Sequence, residues 1–428
     1  MKKGLIQNKK MLETTVLRKD ALSILAAGMD ALDTDLVLRT KVSLSKEVLK
    51  VGRRKYKLSK YNRIFVLGIG KSSLGAAKTL ENILGSKITD GVILDVKKGS
   101  LKYMKSIAGT HPYPSDKNIR ATGEMLGILK GLDSKDLLIS IISGGGSALM
   151  CWPYQLECTD VVAITRLLMK RGAEIHELNT VRKHLSEIQG GQLARLAHPA
   201  TVVGLIFSDV PGDDISMVAS GPTVLDTTTV ADAERVLKKY DVIKECNLGE
   251  CNLKETPKDP SLFSHVHNEL VVTNKVALKA MQAKARVLGY RSSIFSARVD
   301  GEAKNVGELL AKLPKKGQVI IAGGETTVTV THPGKGGRNL EVALGALKTV
   351  HEDGLVLSFA SDGIDNTPIA GGLADQTTKE RAARLGFDSE TFLEKNQSYD
   401  FFLKTKSHIR TGVTGVNVSD LMISMRAK

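Results

Sequence analysis

The fold is predicted by residues 137–149, which run Leu137-Leu-Ile-Ser-Ile-Ile-Ser143-Gly144-Gly145-Gly146-Ser147-Ala-Leu149. The first six residues form an apolar, isoleucine-rich run, which is typical of a buried strand. Three glycines with a serine on each side interrupt the run before an apolar pattern that suits a helix start. A strand, a glycine loop and a helix N-terminus present N–H groups that can hold a phosphate, and the serines add hydroxyl donors. We therefore expect an anion site at 143–147; a flexible turn without a ligand is the alternative.

Strand-like and helix-like segments alternate along the whole chain. This alternation predicts an α/β fold with a mainly parallel sheet and right-handed crossovers. Ligands in such sheets bind beyond the carboxyl ends of the strands. The predicted strands are 64–67, 91–94, 107–112, 137–142, 201–207, 270–273, 291–295, 319–322 and 355–360, with 326–331 as a hairpin partner; the predicted helices are 11–40, 74–84, 118–129, 160–189, 231–239, 277–288, 306–313 and 339–350.

A length of 428 residues suggests two domains for an α/β protein. Residues 241–262 are polar, contain prolines and show no periodicity, which is typical of a connecting segment. The strand and helix pattern restarts after this segment. We therefore expect an N-terminal domain over 1–240 and a C-terminal domain over 263–428.

Composition limits the classes of partner. The formal net charge is +15, but the basic residues are scattered and aromatic residues make up 4%, so small anions are favoured over nucleic acid. No apolar run has transmembrane length, and we expect no membrane partner. The four cysteines, at 151, 158, 246 and 251, are too few and too irregularly spaced for a disulfide framework or a zinc site. A reduced cytoplasm is the expected setting, and a homo-oligomer the expected assembly.

A lysine follows the predicted strand 64–67, in the segment Gly68-Ile-Gly70-Lys71. At the start of a helix, a lysine can meet a phosphoryl group as a point charge. A Rossmann-like turn with a solvated lysine is the alternative. Position 73 is Ser where a dinucleotide motif has its third glycine, which weakens a dinucleotide interpretation.

Further cations and an amide lie before or on predicted helices. Arg338 precedes the helix 339–350, where it can neutralise charge on a transferring phosphoryl group. Asn179, Arg182 and Lys183 lie on the predicted helix 160–189, and the two cations could reach anions. We take Asn179 and Lys183 as candidate substrate-binding or phosphate-binding residues.

Carboxylates follow strands in both halves of the chain. Asp209 and Asp213 come after the strand 201–207, where they could hold Mg2+ beside phosphates or orient a hydroxyl. A helix-capping acidic turn is the alternative. Glu325, Asp362 and Asp365 supply further oxygens after two C-terminal strands. Because such loops occur at strand ends in both halves, we expect a cleft between the domains.

Taken in order, these motifs resemble the glycerate 2-kinase family with a MOFRL C-terminal domain, and the resemblance spans nearly the whole chain. It implies a Rossmann-like N-terminal domain and a smaller α/β C-terminal domain with the site between them. It also implies ATP-dependent phosphorylation of D-glycerate at the 2-hydroxyl, giving 2-phosphoglycerate and ADP, with Mg2+ as cofactor. Lys71 and Arg338 match the family's proposed catalytic lysine and arginine. The matching motifs are Gly68-Ile-Gly-Lys71, Ser143-Gly-Gly-Gly-Ser147, Leu178-Asn-Thr-Val-Arg-Lys-His184, Ser208-Asp-Val-Pro-Gly-Asp213, Ala219-Ser-Gly-Pro-Thr223, Gly336-Gly-Arg-Asn339, Ser361-Asp-Gly-Ile-Asp365 and Thr411-Gly-Val-Thr-Gly-Val-Asn417-Val-Ser-Asp420.

Three alternatives stay open at this point: an NAD(P)H-dependent hydroxypyruvate reductase, a glycerate 3-kinase and a non-catalytic sensor. The residues do not identify a general base. They also do not decide which loop binds ATP and which binds glycerate.

Overall fold

The computed structural model describes residues 4–210, 212–245 and 253–428. Its helices are α1 (Lys9–Leu12), α2 (Val16–Asp30), α3 (Thr34–Lys41), α4 (Ser73–Leu84), α5 (Asp116–Lys130), α6 (Gly146–Leu149), α7 (Cys158–Lys170), α8 (Ile175–Leu185), α9 (Gln192–Ala197), α10 (Val230–Lys239), α11 (Val242–Glu245), α12 (Asn274–Val287), α13 (Ala303–Lys312), α14 (Arg338–Ala346), α15 (Gln376–Arg384), α16 (Ser389–Glu394) and α17 (Ser398–Lys404). Its strands are β1 (Val42–Ser45), β2 (Val48–Val51), β3 (Arg54–Lys57), β4 (Arg63–Ile69), β5 (Asp90–Asp95), β6 (Lys105–Ala108), β7 (Asp136–Ser143), β8 (Thr201–Phe207), β9 (Val266–Val272), β10 (Arg291–Val299), β11 (Gln318–Gly324), β12 (Gly354–Ala360), β13 (Gly371–Asp375), β14 (His408–Ile409) and β15 (Asp420–Arg426).

The described residues of 34–210 and 214–272 form one compact unit, which we call the N-terminal unit. Its main sheet has the strand order β6-β5-β4-β7-β8-β9, and all neighbouring strands are parallel. The direction of winding reverses between β4 and β7, so the loops after these strands leave in opposite directions. Ligands of parallel sheets bind at such a reversal. The loops after β4 and β7 are therefore the expected ligand site of this sheet.

The predicted strand at 137–142 is the centre of this sheet. All eight residues of β7 are buried, as expected for a parallel strand covered on both faces. Ala121, Met125 and Leu129 recur every four residues on α5 and pack in the same core as Leu138 and Ile142. The buried strand β7 and the apolar face of α5 together form the packed layer that supports the glycine loop.

The described residues of 1–33, 211–213 and 273–428 form a second compact unit, the C-terminal unit. Its sheet has the order β10-β11-β15-β12-β13-β14, in which β10 and β11 are parallel and the other neighbours are antiparallel. The last strand, β15, lies between β11 and β12, and its position was not predicted. The predicted α/β class, with a mainly parallel sheet and a second sheet in the C-terminal region, is confirmed.

The predicted hairpin partner at 326–331 is wrong. Residues 328–331 lie in a loop without strand pairing, and Thr327 forms an isolated bridge to Glu302. The physical reason is that β11 already pairs with β10 on one side and β15 on the other, so it has no free edge. The alternation of threonine and valine at 326–331 therefore does not give a strand here.

The predicted helix at 11–40 is divided between the two units. Helix α2 ends at Asp30 and belongs to the C-terminal unit, whereas α3 begins at Thr34 in the N-terminal unit. Buried Arg18 on α2 donates two hydrogen bonds of 2.7 Å to Asp375, which fixes α2 within the C-terminal unit. Residues 266–272 were expected in the C-terminal domain, which was placed at 263–428. They form β9, which pairs with β8 in the N-terminal sheet.

Cys151 and Cys158 form a disulfide, with 6.1 Å between their Cα atoms. The expectation of unpaired cysteines is therefore wrong for this pair, because the loop between α6 and α7 folds back on itself. The disulfide also removes the cysteine argument for a reduced compartment. Cys246 and Cys251 lie outside the described residues. Across the described ranges, no helix is both long and apolar enough to cross a membrane.

Candidate functional site

The loops after β4 and β7 are hydrogen-bonded to each other where the sheet reverses direction. The Lys71 N–H donates to the Gly144 carbonyl over 3.0 Å, and the Ser72 N–H donates to Ser143 Oγ over 3.1 Å. Gly70 has a φ of +109°, and a Cβ there would collide with Ser143. A glycine is therefore required for the two loops to approach this closely. The segments 68–71 and 143–147, which are far apart in the sequence, are therefore joined by hydrogen bonds into one structure.

The remaining glycines of these segments allow close packing. The half-buried carboxylate of Asp209 lies against Gly144, where a Cβ would overlap with it. Gly146 packs closely against Ala219 in the same way. Gly68 lies inside β4 against the neighbouring strand β5, so it serves packing of the sheet and not ligand contact.

Three cationic or titratable side chains lie around the glycine loop. Lys71 Cε lies 3.1 Å and His111 Cδ2 3.3 Å from the place that a Cβ of Gly145 would occupy. Burial lowers the pKa of His111, and the positive charges of Lys71 and Arg182 lower it further. Burial also lowers the pKa of the Arg182 guanidinium. Within the described residues, neither Lys71 nor Arg182 is ion-paired with a carboxylate, so these two cations and His111 outnumber the one carboxylate at the loop, Asp209.

An excess of positive charge over exposed backbone N–H groups attracts an anion. Lys71 was predicted from the sequence, and Arg182 was considered but not retained. His111 was missed, because it follows the short strand β6 and a histidine before a proline carries no strong signal. Its position after the third strand of a parallel sheet was the available indication.

Anion binding at this loop is expected to take up a proton at His111. Because its pKa lies below 6.5 in the free protein, a bound anion should raise that pKa by favouring the imidazolium. Affinity for sulfate, which does not titrate in this range, should therefore rise as the pH falls toward the lowered pKa of free His111, by at most about tenfold per pH unit for one proton. Calorimetry in buffers of different ionisation enthalpy measures the proton uptake. His111→Gln should abolish it; uptake that persists in this variant would place the proton elsewhere.

Asn179 supports the glycine loop through Ser220. The Ser220 hydroxyl donates to Asn179 Oδ1 over 2.8 Å, and it lies 2.8 Å from Ser147 Oγ, which donates to it. Ala219 and Ser220 have φ values of +51° and +57°, a conformation that costs energy in residues with a side chain. Buried Asn179 thus holds a strained segment against Ser147 and positions the loop.

Lys183 does not fit the predicted contact with an anion. Its Nζ donates to Asp226 Oδ1 over 2.9 Å, and the two side chains are 6% and 2% exposed. The structure gives a direct phosphate contact no support, because the ammonium already neutralises a buried carboxylate. The residue stabilises the unit that carries the site.

We expect Lys183→Met to lower the free energy of unfolding by about 3–5 kcal/mol, because Asp226 is left buried without its partner. Lys183→Met combined with Asp226→Asn should regain most of that loss. Urea denaturation measures both values. A Lys183→Met protein with wild-type stability and reduced affinity for sulfate would return Lys183 to the anion site.

In the C-terminal unit, Arg338 is held by two carboxylates. Its Nε and Nη2 donate to Asp420 over 2.6 and 3.2 Å, and its Nη1 contacts Glu325. Burial raises the pKa of Asp420 to about 7, although the guanidinium opposes this rise. Both carboxylates raise the pKa of Arg338, so this residue stays charged. Glu325, a predicted metal or substrate-orienting residue, instead orients the arginine.

Asp365, a predicted metal-binding or substrate-orienting residue, also has structural partners. The backbone N–H groups of Asn339 and Leu340 donate to its two oxygens over 3.1 and 2.9 Å. This buried carboxylate therefore caps the N-terminus of α14, next to Arg338. The half-buried Asp362 accepts a local hydrogen bond of 3.0 Å from the Ile364 N–H and lines a cavity in the same unit.

The two carboxylates after β8 fall in different units. Asp209 belongs to the N-terminal unit, whereas Asp213 belongs to the C-terminal unit and lies 2.7 Å from Lys275 Nζ. In the described part of the chain, no three acidic, histidine or cysteine side chains are grouped to hold a metal. Mg2+ bound with phosphates needs one or two carboxylates. A single carboxylate, that of Asp209 or Asp362, would therefore be enough beside bound phosphates.

Comparison with known proteins covers both units. Residues 20–248 match a domain of unknown function, DUF4147, and residues 318–420 match the MOFRL family. A glycerate 2-kinase of Pyrococcus horikoshii is 35% identical over 437 residues, covering 96% of this chain and 97% of the relative. A D-glycerate 2-kinase of Thermotoga maritima is 34% identical over 381 residues, covering 85% and 91%. The crystal structure of a glycerate kinase from Thermotoga maritima has a TM-score of 0.83 at 32% identity, covering 96% of this chain and 99% of that chain.

Proposed function

The chain belongs to the glycerate kinase family, and on this basis we propose that it transfers the γ-phosphoryl group of ATP to the 2-hydroxyl of D-glycerate. The products are 2-phosphoglycerate and ADP. The observation that carries the proposal is the cationic glycine loop, where Lys71, His111 and Arg182 lie without carboxylate partners in the described chain. Both the donor phosphates and the acceptor carboxylate are anions that this loop suits.

Lys71 is the proposed charge-stabilising residue of the N-terminal unit. Its side chain is exposed, and it lies over Gly145 beside the backbone of the glycine loop. Phosphoryl transfer proceeds through a loose transition state in which charge is spread over the equatorial oxygens. A lysine fixed near those oxygens stabilises that charge without having to give up a proton. The same property explains why a strong general base is not required.

Arg338 is the proposed charge-stabilising residue of the C-terminal unit. The hydrogen bonds that its guanidinium donates to Asp420 hold it in one orientation before any ligand arrives. A preorganised cation stabilises developing charge more effectively than a mobile one, because no reorganisation is needed during the reaction. Glu325 and Asp420 are positioning residues in this arrangement.

Mg2+ is the proposed cofactor, with Asp209 or Asp362 as the residue that would hold it. Bound beside the nucleotide, the ion would neutralise charge on the phosphate oxygens. Asp213 and Asp365 are not included in this proposal. Lys275 pairs with Asp213, and backbone N–H groups at the N-terminus of α14 donate to Asp365.

A coupled assay of ADP formation tests the proposed reaction. Purified protein with ATP, Mg2+ and D-glycerate should release ADP, and omitting D-glycerate should stop the release. A parallel reaction with hydroxypyruvate and NADH, without ATP, should leave the nicotinamide absorbance unchanged. Oxidation of NADH in the second reaction with no ADP in the first would replace the kinase by a reductase.

A further inference from the structure

A cavity of about 570 Å³ lies within the C-terminal unit, in front of the first turn of α14. The loop 326–337 forms one wall, and residues 362–366 lie at another. Pockets for small molecules and cofactors typically have volumes of about 300–1,000 Å³. The cavity therefore has room for a ligand much larger than a three-carbon acid.

Two exposed aliphatic side chains line this cavity. Val330 is 71% exposed and Ile364 is 45% exposed. Large apolar side chains that face solvent from a concave surface mark a binding site for an apolar part of a ligand.

Two buried polar side chains line the same cavity, and each has an oxygen without a hydrogen bond within the described residues. Thr326 is 2% exposed, and within the described residues its Oγ1 has no partner. Glu341 is 3% exposed; its Oε1 accepts from Asn396 Nδ2 over 3.2 Å, and across the described chain its other oxygen has no hydrogen bond. Buried polar groups are normally satisfied, so the unpartnered Thr326 hydroxyl indicates a ligand with a hydrogen-bonding group, and the second Glu341 oxygen offers a further acceptor.

The wall that carries Val330 is held in place before any ligand binds. Asn396 Oδ1 accepts from the N–H groups of Thr331 and His332 over 2.9 and 3.1 Å. The same amide bridges to Glu341, so the loop and the first turns of α14 are connected. A cavity with fixed walls binds its ligand without the entropy cost of ordering them.

The charges of the lining residues determine which part of a ligand the cavity can accommodate. The acidic residues Glu341, Asp362 and Asp365 line the cavity, and Arg338 is the one arginine or lysine among the described lining residues. An anionic group deep in the cavity would meet like charge and lose solvation. An uncharged ligand body with hydroxyl or amino donors would not, and an attached phosphate would be drawn to Arg338.

We propose that this cavity binds the nucleoside part of the phosphoryl donor. The base packs against Val330 and Ile364, and hydroxyl or amino groups of the nucleoside donate to Glu341 and Thr326. The phosphates then extend toward Arg338. The assignment rests on the proposed function, because that reaction requires a nucleotide donor.

Val330→Glu tests the assignment, because it places a charge on the apolar wall at an exposed position where folding is not disturbed. We expect the KM for ATP and the Kd for ADP alone to rise at least tenfold, with the KM for D-glycerate within twofold of wild type. Ile364→Asp should act in the same direction. Val287→Glu is the matched control, since Val287 is 79% exposed in the same unit and does not line the cavity.

Failure of the cavity assignment and failure of the proposed function give different results. If wild-type protein phosphorylates glycerate and Val330→Glu keeps the wild-type KM for ATP and Kd for ADP, the assignment is overturned and the kinase stands. A rise in the KM for D-glycerate alone overturns it too, because the cavity then takes the acceptor. ADP binding that is weakened by Val330→Glu, in a protein that does not phosphorylate glycerate, supports the cavity and removes the kinase.

Discussion

Lys71→Ala should lower kcat for glycerate phosphorylation by about 10²–10³-fold, the cost typical of removing one preorganised charge-stabilising group from an active site. The change should leave the fold intact. Lys71 is exposed and has no ion-pair partner in the described chain, so its removal leaves no buried charge. The loop geometry also survives, because it is the backbone N–H of Lys71 that bonds to Gly144. Steady-state kinetics with D-glycerate, beside circular dichroism and thermal unfolding, measure the two effects separately.

Lys78→Ala is the control for this substitution. Lys78 lies on α4, the helix that begins two residues after Lys71, and is exposed, so its loss changes the net charge equally without touching the glycine loop. Its kcat should stay within twofold of wild type. A Lys71→Ala enzyme with kcat within threefold of wild type would remove Lys71 from the reaction.

Arg338→Met should reduce both turnover and stability. We expect kcat to fall by about 10²-fold, since the guanidinium is preorganised by Asp420. The free energy of unfolding should fall by about 3 kcal/mol, at the lower end for a broken buried pair, because the arginine side chain is 34% exposed. The stability loss arises because Asp420, which is 1% exposed, loses the guanidinium that opposes the rise of its pKa and must then stay buried as an unpaired carboxylate or take up a proton.

Combining Arg338→Met with Asp420→Asn separates the two effects. The double variant should regain most of the stability, because no buried charge is left unpaired, and it should stay as inactive as the single variant. Arg384→Met, at an exposed position of α15, controls for the loss of an arginine. If the double variant recovers turnover together with stability, Arg338 acts on the fold and not on the transferred group.

The strand and glycine loop that support the site were predicted more accurately from the sequence than the roles of its charged residues. The apolar run at 137–142 and the glycines after it located β7 and its loop, because a buried parallel strand and a close backbone approach both leave local signatures. The position of β15 left none. Its place between β11 and β12 depends on pairing with strands that lie between 60 and 106 residues earlier in the chain, which no local pattern encodes.

Two of the predicted site residues have structural partners that the sequence does not reveal. Lys183 and Asp365 are charged residues in motifs rich in charge, and each is committed to a buried structural partner. Charge alone does not distinguish a residue that meets a ligand from one that neutralises a neighbour. His111 is the opposite case, because its proximity to Lys71 and Arg182 depends on adjacent strand ends that are far apart in the sequence.

The position of phosphorylation is measured directly by 31P NMR of the product formed from purified protein, ATP, Mg2+ and D-glycerate. The proposed reaction predicts a signal for 2-phosphoglycerate that grows as the ATP signal declines, and none when D-glycerate is omitted. A 3-phosphoglycerate signal would contradict the placement of the acceptor, although transfer itself would stand. With folded protein, the absence of any phosphorylated glycerate would contradict the kinase.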